Sequence, residues 1–190
     1  MKSTTKKVAF EVKEDVSIYV PSMSTIRGNT SYMSNSIFLR HEIFHVFQHQ
    51  LYGNFMLETG AYTVKEEIDG KMVDVKYYDP GVSNIEFEQI VFNDLTRYKA
   101  GTYSPTSEWA ADPGIPGSST ALEKYLSFMR TLADRSDINT YIQSDAFINE
   151  YFDRLKDWVQ YTRRAYKNSE ILPNFKPEAL KQLLKDGICN

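Results

Sequence analysis

Two short runs rich in β-branched and aromatic residues open the chain. Residues 8–12 (Val-Ala-Phe-Glu-Val) and 17–20 (Ser-Ile-Tyr-Val) read as strands, the second ended by Pro21. Residues 22–36 are small and polar around Gly28 and Asn29, which predicts a loop with a short extended piece at 30–33. From 37 to 52 the period changes. Ile37, Phe38, Ile43, Phe44, Phe47 and Leu51 recur as on a buried helix, with Asn35 or Ser36 to cap it and Gly53 to end it. Alternating runs at 61–68 and 72–78 flank Asp69-Gly70, a dipeptide suited to a two-residue hairpin turn.

A second helix is predicted over 83–99. Residues 101–119 contain Pro105, Pro113, Gly114, Pro116 and Gly117 and predict a long loop, either a lid that includes Trp109 or a plain connector. Beyond it the pattern is helical: about 120–133, then 138–167 with a break near Ser144, then 176–185. The class is α+β, with a short N-terminal mixed sheet, two early helices and a helical C-terminal half. The natural division is a core at 1–100, the loop at 101–119, and a helical subdomain at 120–190 packed on the core.

Composition narrows the options. The chain has 190 residues, 42% hydrophobic and 25% charged, which suits one globular domain and excludes wholesale disorder. Net charge is −3 and there is no basic run, so nothing suggests a nucleic-acid groove. No apolar stretch is long enough to span a bilayer. The basic start is not followed by an apolar segment, so no signal peptide is visible; the expectation is cytoplasmic unless a leader was removed. The single cysteine, Cys189, has no partner within the chain. The aromatic stripe Tyr125, Phe128, Phe147, Tyr151, Trp158 and Tyr161 is expected to be core.

The chemistry is concentrated between residues 41 and 49, where all three histidines fall. His41-Glu42-Ile43-Phe44-His45 is an H-E-x-x-H motif within a predicted helix. Residues i and i+4 share a helical face, so both imidazoles can reach one zinc ion. Glu42 lies beside that pair, where it can take a proton from a metal-activated water. His49 sits two turns beyond His41, about 12 Å along the axis, too far to share the ion. It reads as an outer or surface residue.

A catalytic zinc usually takes a third protein ligand. The helix at 83–99 offers two carboxylates. Glu88 shares a stripe with Ile85, Val91, Phe92 and Leu95, and a carboxylate on a buried stripe needs a partner or a metal. Glu86 shares a mainly polar face with Gln89 and Asn93. Glu88 is the preferred candidate and Glu86 the competitor. Arg97, Tyr98 and Tyr103 could stabilise developing charge, but each is equally an ordinary surface residue and none is assigned.

His41-Glu42-x-x-His45, followed by a helix with Glu86-x-Glu88-x-x-x-Phe92, resembles the gluzincin branch of zinc metallopeptidases. Within it the chain is most similar to the small anti-repressor type of mobile elements, whose second helix carries a Glu-x-Glu-Ala-Asn-x-Phe-Ala pattern. The resemblance covers residues 17–95. It implies a zincin-like core with His41, His45 and Glu88 as ligands of Zn2+ and Glu42 as general base. Gln89, Ile90 and Asn93 depart from it, standing where that family prefers Ala, Asn or Asp, and Ala. The 61–78 hairpin also separates the two motifs further.

The activity so implied is hydrolysis of a peptide or protein substrate. From its position alone, an extended segment at 30–33 could hold that substrate by strand addition. The alternative is a non-catalytic protein of the same fold, with a structural or vestigial zinc site, acting as a binding module. Substrate and oligomeric state are not legible in the residues.

Overall fold

The computed structural model describes residues 9–12, 18–20, 25–28, 36–53, 55–56, 61–104, 114–161 and 169–187. The expected extended piece at 30–33, Trp109 and Cys189 lie outside them. The chain forms two compact units, Met1–Glu58 and Thr59–Asn190.

The first unit holds a three-stranded sheet and one long helix. The strands are β1 (Ala9–Val12), β2 (Ile18–Val20) and β3 (Thr25–Gly28), in the order β1-β3-β2. β3 pairs parallel with β1 and antiparallel with β2, so the sheet is mixed as expected. Its central strand was not anticipated. Four residues, Thr-Ile-Arg-Gly, are too few to show alternation, yet Ile26 is buried at the sheet's centre. Across β1 and β3, Glu11 opposes Arg27 and the two side chains form an ion pair at 2.6 Å. Helix α1 (Ser36–Tyr52) packs on this sheet, with Tyr19, Ile26 and Val46 as a small core and Leu39 at its margin.

The orientation of α1 corrects the sequence reading. Ile43 and Leu51, expected inside, are exposed, whereas Glu42, His45, Gln48 and His49 are buried. The helix turns polar residues inward. That arrangement is stable only when each such group finds a partner.

In the second unit, β4 (Ala61–Ile68) and β5 (Lys71–Tyr78) form a hairpin. Asp69 and Gly70 both take positive φ, 53° and 74°, which fits the twist of the flanking strands. Helix α2 (Val82–Lys99) follows, close to the expected 83–99. The late helices are α3 (Ser118–Asp134), α4 (Ile138–Tyr141), α5 (Asp145–Tyr161) and α6 (Glu178–Lys185), with the break near Ser144 where it was expected.

α2 is the hub of this unit. Phe87, Ile90, Val91 and Leu95 share one core with Tyr125, Phe128, Phe147, Tyr151, Leu155 and Trp158. The Phe87 ring meets those of Tyr151 and Trp158 with centroids 5.2 and 5.7 Å away. The aromatic stripe is therefore core, except that Tyr161 is only partly buried. The segment before α6 closes the N-terminal end of α2. Asn84 Oδ1 accepts the N–H of Leu172 at 2.9 Å, and the Gly81 N–H donates to the Glu170 carbonyl at 2.9 Å. No helix among the described residues is long and apolar enough to cross a membrane.

Candidate metal centre

α1 brings the two motif histidines together. Residues 41 and 45 lie one turn apart, and their Nε2 atoms approach to 3.0 Å with the rings edge to face. Two nitrogens bound to one tetrahedral ion at about 2.0–2.1 Å would lie about 3.3 Å apart. The pair is thus nearly set for a shared ion. His45 is oriented from behind, because its Nδ1–H donates to Gln48 Oε1 at 2.7 Å. That bond fixes the tautomer with its lone pair on Nε2, the arrangement metal-binding histidines commonly use. The spacing His45 to Gln48, i to i+3, makes the contact local and readable in the sequence.

Glu42 is 5% exposed and held differently. Its Oε2 accepts the main-chain N–H of Tyr19 on β2, an edge strand. Its Oε1 is turned toward His41, 4.0 Å from Nε2. The carboxylate therefore stands next to the histidine pair with one oxygen anchored by backbone.

His49 is buried, and its Nδ1 lies 2.8 Å from the Tyr19 hydroxyl. Tyr19 thus meets α1 twice, through its backbone at Glu42 and through its phenol at His49. This role of Tyr19 had no signal in the sequence, since a tyrosine in a short strand reads as core. Tyr19→Phe retains the N–H donated to Glu42 and removes the buried bond to His49. The expected outcome is a loss of about 0.5–1.5 kcal/mol in urea unfolding, with zinc binding unchanged. Unchanged stability would count against this contact.

The two glutamates of α2 have different surroundings. Glu88 is fully buried, and its Oε1 accepts the N–H of Leu180 at 2.9 Å. Leu180 is in the first turn of α6, where backbone N–H groups lack intrahelical acceptors. A carboxylate there satisfies one of them and complements the positive helix end. The buried Glu88 carboxylate thus has a partner at a helix terminus, as a buried carboxylate must have a partner or a metal.

Among the described residues one group can hold a metal ion: His41, His45 and Glu86. Each offers one ligand atom, and these atoms all lie within 4.8 Å of one another. Glu88, Glu42 and His49 are not in it. The Tyr98 and Tyr103 rings meet edge to face, 6.3 Å between centroids. Burial, and then the neighbouring Asp94, push the Tyr103 phenol well above its ordinary range, so it stays protonated. Asp94 itself accepts the Tyr125 hydroxyl at 2.9 Å.

No family model, no curated protein and no solved structure matches the chain.

Proposed function

We propose that the chain is a zinc-dependent peptidase of the gluzincin type with a zincin-like core, as its motif resemblance implies. The observation that carries this reading is the grouping of His41, His45 and Glu86. Two imidazoles and one carboxylate are the donor set of many catalytic zinc sites, which keep a fourth position for water or substrate. The fit is supported by the converging Nε2 atoms and by the Gln48 contact that frees the His45 lone pair.

Zinc, when bound, supplies a Lewis acid and lowers the pKa of water toward neutrality. The protein supplies the rest. His41, His45 and Glu86 would hold the ion. Glu42 Oε1 takes the proton of the attacking water and returns it to the leaving amine nitrogen. The Tyr19 N–H on Oε2 keeps the carboxylate from rotating away. Glu88 is proposed as a capping residue and not as a ligand.

The experiment is hydrolysis of a quenched fluorescent peptide pool by the zinc-loaded protein, with and without a chelator. Cleavage that stops with the chelator and returns with zinc is expected. One bound equivalent of zinc without cleavage of any peptide would favour the structural-site alternative.

A further inference from the structure

Gln89 is 0% and Asn93 1% exposed, and among the described residues none of their four polar side-chain atoms has a hydrogen-bond partner. Three other buried polar side chains on the same helix have a partner: Asn84 with Leu172, Glu88 with Leu180 and Asp94 with Tyr125; the Ser83 hydroxyl, like the two carboxamides, has none among the described residues. A buried carboxamide without partners is costly, and a native chain retains few of them without a reason.

Their position supplies the reason. Glu86, Gln89 and Asn93 follow one another at i, i+3 and i+7, so they share one helical face, and consecutive members lie roughly 5–6 Å apart at Cβ. Glu86 is the carboxylate of the metal group. Carboxylate ligands are commonly held by further hydrogen bonds, and losing such a partner typically costs about 10–100-fold in metal affinity.

We infer that Gln89, supported by Asn93, is a positioning residue for Glu86. The Gln89 amide donates to the Glu86 carboxylate, Asn93 holds Gln89 in turn, and this row forms as the ion binds. Gln89 acts through Glu86 and does not touch the ion. The inference rests on the metal reading above and deepens it.

The test uses the full chain and Zn2+ alone. Zinc affinity is measured by competition with a chromophoric chelator, and melting temperature is measured with and without zinc, for wild type, Gln89→Met and Asn93→Leu. Without zinc, each variant is expected to melt about 2–4 °C higher, since an apolar group of similar shape replaces an unmet amide. Zinc affinity is expected to fall at least about tenfold in Gln89→Met and less in Asn93→Leu, and the stabilisation by zinc to shrink with it.

Should Gln89→Met melt lower through overpacking, Gln89→Ala removes the same group without bulk, and its zinc affinity gives the decision. Zinc affinity equal to wild type in the Gln89 variants would overturn the inference and leave the metal centre standing. Failure of the wild type to bind zinc would overturn the metal reading itself, before any variant is compared.

Discussion

Glu42→Gln is expected to lower kcat by about 10²–10⁴-fold while one equivalent of zinc stays bound. The substitution keeps the shape of the side chain and an oxygen to accept the Tyr19 N–H, so the local fold is preserved. What it removes is the ability to take a proton. Because Glu42 is outside the group of ligand atoms, metal affinity has no reason to change. The check is peptide hydrolysis in parallel with metal analysis on the same preparation. Normal turnover in Glu42→Gln would exclude it as the base. Loss of zinc together with activity would make it a ligand instead.

The second large effect concerns stability. Glu88→Ala removes a fully buried carboxylate and leaves the Leu180 N–H without its acceptor. A hydrogen bond to a charged group of this kind contributes roughly 1.5–3 kcal/mol. The expected loss in urea unfolding is therefore about 2–3 kcal/mol. Glu88→Gln keeps an acceptor oxygen and should recover much of it. A Glu88→Ala protein as stable as wild type would show that the carboxylate does not anchor α6.

Much of the fold was legible because local rules and packing agreed. Asp69-Gly70 demanded a tight turn, and the flanking strands pair across it. The aromatic stripe of the late helices had the period of a buried face and is buried, apart from the partly buried Tyr161. Three things were hidden. β3 is four residues long, and only its neighbours make it a strand. The inward face of α1 is polar, and the histidine motif overrides the apolar pattern that Ile43 and Leu51 suggest.

The third was the surroundings of each glutamate on α2. A hydrophobic stripe marks the inside only when a helix has an outside. α2 is buried around most of its circumference, Gln89 and Asn93 included, so a buried stripe alone does not single out Glu88 as a ligand. Glu86, Gln89 and Asn93 form a polar row on this enclosed helix, and the proposed centre draws on that row. The contact between Glu88 and Leu180 spans 92 residues and had no local trace.

The account stands or falls on which carboxylate completes the centre. The direct measurement is zinc per molecule, titrated at neutral pH on wild type, Glu86→Ala and Glu88→Ala, each shown to be folded. The account predicts one equivalent in wild type and in Glu88→Ala, and a marked loss in Glu86→Ala. Zinc retained in Glu86→Ala and lost in folded Glu88→Ala would contradict it, and no zinc in wild type would remove the centre altogether.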